Sequence, residues 1–139
     1  MSNFGKGEIF EEFAHSFLCY VLGDKFTPVG GVKDKGVDGI LRLYQRNVYP
    51  SYIYQISTES DHEGKIKDTI EKLIKNQIPI NQLVYVTSRK INNISKTEDN
   101  FLIKYKIPLR IFDVEWFASN VIKKQNKKIL TLVEELKEQ

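Results

Sequence analysis

A single cysteine, two histidines and four prolines are all that 139 residues hold of these types. One cysteine excludes an internal disulfide framework, and with only two histidines beside it a structural zinc site is excluded too. Scarce proline, with 41% hydrophobic and 28% charged residues, excludes a disordered or proline-rich linker protein. Long apolar runs are missing: the longest, Phe17 to Leu22, is far too short to cross a bilayer. Met1 to Lys6 is short and polar and lacks the apolar centre of a signal peptide, so a cytoplasmic location is expected. Charge of one sign is in small excess, a net +3 with pI near 8.9. That permits a nucleic-acid partner without demanding one. What remains suffices for a core. Surface scaling takes such a chain from roughly 23,500 Å² unfolded to roughly 7,500 Å² folded.

No repeat or low-complexity tract divides the chain, so residues 1–139 read as one domain. Gly7 to Leu22 reads as an amphipathic helix, with Phe10, Phe13, Ala14, Phe17 and Val21 on one face and Gly23 as its stop. A short piece broken by proline, Lys25 to Val29, suits a sheet edge. The loop Gly30 to Gly36 leads to a strand, Val37 to Tyr44; a turn over Gln45 to Ser51 separates it from another, Tyr52 to Thr58. Glu63 to Asn76 places Ile66, Ile70, Leu73 and Ile74 at helical spacing. Leu83 to Val86 is apolar throughout, as expected of a strand covered on both faces. A connection of that length between strands implies a right-handed parallel crossover. A helix between Ile91 and Tyr105, a strand over Leu109 to Phe112, and helices near Val114 to Val121 and Lys128 to Lys137 complete the reading. The class is α/β: a mixed sheet flanked by helices.

The chemistry-bearing residues concentrate between Gly30 and Ser57. Asp38 stands where the second strand is expected to begin, between Gly36 and Gly39. Gln55 and Ser57, two apart on the next strand, share a face. A symmetric hairpin pairs Leu41 with Tyr52 and Gly39 with Tyr54, which brings Asp38 opposite Gln55. A carboxylate beside an amide oxygen can hold a hard cation such as Mg²⁺. Flanking glycines let a phosphate or backbone approach closely. On the first helix Glu12 should face water and Glu8 lies farther round, while Glu11, at the border of the apolar stripe, can reach the end of the sheet. Each residue alone has a plainer explanation: Asp-Gly is ordinarily a turn device, and a strand glutamine a satisfied polar group. The joint pattern carries the argument.

Phe10-Glu11 on an opening helix, Asp34-Lys35-Gly36-Val37-Asp38-Gly39-Ile40, and Tyr54-Gln55-Ile56-Ser57 together resemble the Mrr-like branch of the PD-(D/E)xK nuclease superfamily. The resemblance covers about residues 7–88, with 89–139 as a C-terminal extension, and it implies the restriction-endonuclease-like fold: helix, three-strand meander, helix, parallel strand. It implies Asp38 and Gln55 as metal-binding positions, the backbone oxygen of Ile56 as a further ligand, and Glu11 as holding a second ion or orienting water. The cofactor it implies is Mg²⁺ or Mn²⁺, the partner DNA, and the activity endonucleolytic cleavage in restriction or defence against foreign DNA. Cutting both strands calls for two such sites, which a homodimer would supply. The polar ending Glu134 to Gln139 is compatible with an N-terminal domain of a longer protein.

Ser57 departs from the family pattern, which has lysine there. A hydroxyl donates a hydrogen bond but supplies no cation, and losing one preorganised group of this kind costs ~10²- to 10³-fold in rate, about 3–4 kcal/mol. Three alternatives follow: a slow nuclease relying on metal, a lysine supplied by Lys33, Lys35, Lys65 or Lys67, or a degenerate site that binds nucleic acid or mediates assembly. Elsewhere, plainer roles are expected. Thr58 to Asp61 ends a strand and caps the next helix. Asp113 caps a helix whose Trp116 and Phe117 anchor the core. Tyr44, Tyr49, Tyr52 and Tyr54 pack on strand faces. His15 and His62 are surface or capping groups, His62 being nearer the expected site. Lys123, Lys124, Lys127 and Lys128 form a solvated helix end.

Overall fold

In the computed structural model, residues 6–23, 26–28, 43–46 and 52–124 are described. The order is α1 (Lys6–Leu22), β1 (Phe26–Pro28), β2 (Leu43–Arg46), β3 (Tyr52–Ser57), α2 (His62–Lys75), β4 (Gln82–Thr87), α3 (Ile94–Tyr105), β5 (Leu109–Phe112) and α4 (Val114–Lys124). The strands form one sheet in the order β1-β2-β3-β4-β5. The pairs β1·β2 and β2·β3 are antiparallel, while β3·β4 and β4·β5 are parallel. This is an α/β fold with a mixed five-stranded sheet, and the order of elements agrees with the periodicity of the sequence.

Local chemistry explains the boundaries. Gly23 adopts φ +69° and its N–H bonds back to the Cys19 carbonyl, ending α1 where a side chain would be strained. Asp61 caps α2, its Oδ1 accepting from the Gly64 N–H at 3.0 Å. Asp113 opens α4 in the same way, through the Trp116 N–H at 3.0 Å. The piece containing Pro28 lies at the sheet edge, where a missing N–H is tolerated.

β3 and β4 are central, so both their faces are covered. On one face Tyr54, Ile56, Val84 and Val86 pack with Phe10, Phe13, Ala14, Phe17 and Leu18 of α1 and Phe117 of α4. On the other, Ile53, Leu83 and Tyr85 pack with Ile66, Ile70 and Leu73 of α2 and with Leu109 and Ile111 of β5. By strand alternation Gln55, Ser57 and Thr87 belong to this α2 side.

Three expectations need correction. Gln45 and Arg46 do not begin a turn. They belong to β2, because Gln45 pairs with Ile53 on one side and Thr27 on the other, and a strand held from both sides continues. The hairpin register shifts accordingly. Leu43, not position 38, is the antiparallel partner of Gln55, and Tyr44, not Gly39, is that of Tyr54. Ile74 is 54% exposed. It follows Leu73 by one residue, about 100° around the helix, and so turns outward. Of the expected strand 37–44 only Leu43 and Tyr44 are described; the rest of it, and the helix 128–137, lie outside the described residues.

Candidate functional site

The sequence points to the carboxyl end of β3, and the ends of β3 and β4 are indeed rich in polar groups. Ser57 and Thr87 are register partners and behave alike: each hydroxyl accepts the N–H two residues onward, from Glu59 at 3.0 Å and from Arg89 at 3.1 Å. These turns aim the chain out of the sheet. The Arg89 side chain then crosses to β3, Nε donating to the Thr58 carbonyl at 2.7 Å. Asp113 braces the same end. Besides capping α4, its buried carboxylate accepts the Ile91 N–H through Oδ2 at 3.1 Å. An ion pair, Lys90 to Glu115 at 3.3 Å, lies outside it.

Beneath these turns lies a less satisfied region. Gln55 is 1% exposed, and neither its amide oxygen nor its amide nitrogen has a hydrogen-bond partner in the protein. The same holds for the Tyr85 hydroxyl and for Thr69 Oγ1. Burial pushes the Tyr85 phenol above its ordinary range. The nearby Ser57 hydroxyl and Arg89 pull it down, without a well-formed bond from Ser57, while Glu59 and Asp61 push it further up. Tyr85 is therefore a neutral hydroxyl at any ordinary pH. Buried polar groups without partners are rare in folded proteins and mark a ligand, an ordered water or strain.

The sequence-derived residues divide as follows. Gln55 and Ser57 share one face of β3, both buried. Ile56 between them packs on the other face. Glu11 is half-buried on α1, which covers that opposite face, so Glu11 and Gln55 are not brought to one side of the sheet; Glu12 is exposed. Asp38, Lys33 and Lys35 lie outside the described residues. Lys65 is half-buried and Lys67 exposed on α2; Lys67 lines an open groove of about 350 Å³ toward α3, with Phe101, Lys104 and Tyr105 opposite. Among the described residues no three His, Cys, Asp or Glu side chains are grouped to hold a metal ion.

The remaining expectations settle into packing. His15 contacts the rings of Phe26 and Tyr44 at 5.8 and 4.9 Å. His62 is the half-buried first residue of α2. Trp116 stacks on Phe112 at 3.9 Å, and Phe117 is buried. Tyr54 meets Phe26 edge-on. Tyr49 and the side chains of the lysine run 123–128 lie outside the described part.

Tyr85 and Thr69 were not singled out by the sequence. Thr69 had a signal: it interrupts the apolar stripe Ile66, Ile70, Leu73 at helical spacing. Tyr85 had none, because its position beside Gln55 depends on a parallel register between distant segments. No family model, curated protein or solved structure matches this chain. The fold defines its class, an α/β domain with a mixed sheet, and within the described residues no helix is long and apolar enough to cross a membrane.

Proposed function

We propose that the chain is a metal-dependent DNA endonuclease-like domain, similar to the Mrr-like branch of the PD-(D/E)xK nucleases, hydrolysing phosphodiester bonds of foreign DNA in the cytoplasm. Gln55 carries the reading: a buried amide on the third strand, neither end bonded to protein. Such a group costs about 1–3 kcal/mol when left unpaired. A ligand on its oxygen offsets that cost, and oxygen is what Mg²⁺ or Mn²⁺ takes, so this donor fits such an ion. The Asp38 carboxylate, the Gln55 amide oxygen and the Ile56 backbone oxygen would hold it. Such an ion would supply Lewis-acid polarisation of a phosphoryl oxygen and a more acidic water.

The chain's own groups do the rest. Ser57 offers a neutral hydroxyl beside Gln55 in place of an ammonium, which makes the reaction slow. Lys33, Lys35, Lys65 and Lys67 are the cations assigned to the DNA backbone. Glu11, on the helix across the sheet, is left out of the ion's ligands. A homodimer would place a second copy of the site on the other strand, and C-terminal domains of a longer chain would direct it.

One observation favours a second reading, a degenerate nuclease-fold module that binds nucleic acid or mediates assembly. The Ser57 hydroxyl is buried and already accepts the Glu59 N–H, so the position that calls for a cation is neutral and engaged. Plasmid cleavage in Mg²⁺ or Mn²⁺, with calorimetry of metal binding, separates the two. The nuclease reading expects cleavage reduced about 100-fold or more in both Asp38→Ala and Gln55→Ala. Undiminished cleavage by Asp38→Ala sinks it. Absence of any metal binding that depends on Asp38 leaves the second reading in its place.

A further inference from the structure

We infer that Tyr85 and Thr69 are positioning residues for the Gln55 amide and act on it through ordered water held between β3, β4 and α2. The functional part of the inference rests on the metal-site reading of Gln55. Its structural part stands on three side chains. Gln55 and Tyr85 are partners in the parallel ladder, and both face α2. Thr69 lies on the buried stripe of α2 between Ile66 and Leu73. All three are at most 1% exposed. Among the described residues, every buried side-chain N or O atom without a hydrogen bond belongs to them: Gln55 Oε1 and Nε2, Thr69 Oγ1 and the Tyr85 hydroxyl.

The apolar residues of this layer, Ile53, Ile66, Ile70, Leu73 and Leu83, have nothing to offer a polar atom, and the Ser57 hydroxyl, which lies near that of Tyr85, already accepts the Glu59 N–H. Thr69 does not resolve its need locally either, since its hydroxyl makes no bond to its own helix. Each hydroxyl has one hydrogen to give and lone pairs to accept, while the amide has two hydrogens at one end and an oxygen at the other. None of the three bonds directly to another. Water both donates and accepts, and buried water makes about three hydrogen bonds to groups of this kind. A water that accepts from Nε2 keeps its own two hydrogens for the hydroxyls.

The consequence concerns orientation. A glutamine amide has chemically different ends, and only the oxygen can hold a cation. A water fixed by two hydroxyls accepts from Nε2 and so turns Oε1 away from the α2 layer. A carboxylate needs no such sorting, because both its ends are oxygen. Tyr85 and Thr69 are therefore needed by a glutamine at this position and not by a glutamate.

Mn²⁺ calorimetry on wild type, Tyr85→Phe, Gln55→Glu and the double variant tests this, with thermal unfolding to verify that each is folded. Tyr85→Phe is expected to weaken Mn²⁺ binding about tenfold, as removal of an outer-shell partner does. Added to Gln55→Glu, it is expected to change affinity less than about twofold, a non-additivity a general packing role would not produce. Thr69→Val should follow Tyr85→Phe, and Thr69→Ser should restore binding. Equal losses in both backgrounds overturn the inference, as does unchanged binding by Tyr85→Phe where Gln55→Ala has lost it. If Gln55→Ala binds Mn²⁺ as wild type does, the metal reading itself fails. The water bridge is then judged by NMR: a nuclear Overhauser effect from bound water to the Gln55 side-chain amide, lost in Tyr85→Phe. No such effect in wild type overturns it.

Discussion

On the α1 and α4 side of the sheet the core is built of rings; on the α2 side it is aliphatic with polar atoms set into it. Phe17 lies 5.6, 6.0 and 5.4 Å from the rings of Phe13, Trp116 and Phe117, and Phe10 meets Phe117 edge-on. Such pairs add attraction beyond the area they bury. Across the sheet Ile53, Ile66, Ile70, Leu73 and Leu83 form an aliphatic cluster with Tyr85, and Gln55 and Thr69 are buried on the same side. The aromatic side has the simpler task of holding the domain together. The other side leaves the polar atoms of Gln55, Thr69 and Tyr85 without a partner in the protein, at a cost in stability that the aromatic side does not bear.

The sharpest way to test that division is to cut into each side in turn. Phe17→Ala should cost about 4 kcal/mol of unfolding free energy in a urea titration, because a buried ring with three ring neighbours leaves a large cavity. Ile70→Ala, equally buried but aliphatic, should cost about 3 kcal/mol. A larger loss at Ile70 than at Phe17 would reverse the ranking of the two faces. Asp113→Ala comes next, at about 2 kcal/mol, since it removes one helix cap and leaves the Ile91 N–H without an acceptor. Asp113 is informative because it joins the two sides: Ile91 belongs to the α2 core, and Trp116 packs on the aromatic one.

The smallest effect is in pH dependence. Burial raises the Tyr85 pKa in the folded state. Between pH 10 and the folded value the unfolded chain loses the proton while the folded chain keeps it. Stability is therefore undiminished below pH 10 and falls as pH climbs through that window. Tyr85→Phe should flatten this alkaline decline relative to wild type in denaturant titrations at pH 8, 10 and 11. Parallel slopes for the two proteins would show that Tyr85 titrates as an exposed phenol.

Most of the fold was legible in the chain because its signals are local. The stripe Phe10, Phe13, Ala14 and Phe17 is a matter of spacing along one helix, and Asp61 and Asp113 announce helix starts within three residues. The apolar run Leu83 to Val86 declares a covered strand. The register of β2 against β3 was not legible, because a symmetric hairpin ignores β1. Once Thr27 pairs with Gln45, the strand extends and Gln55 faces Leu43. In the candidate site, Gln55 and Ser57 sharing a face follows from alternation alone. Tyr85 beside Gln55 required the pairing of two strands joined through a helix. Asp38 lies outside the described residues, and its part in the reading still rests on the sequence.

By itself, then, the order of apolar and polar residues determined that this chain forms helices around a mixed sheet, with a central covered strand and a proline-bearing edge. Those outcomes depend on contacts a few residues long, where spacing and side-chain volume decide. The tertiary structure alone decided which strand positions face each other, that Glu11 and Gln55 stand on opposite sides of the sheet, and that an amide and two hydroxyls share one apolar layer. Those outcomes depend on the packing of segments far apart in the chain, a balance that no short stretch of sequence carries.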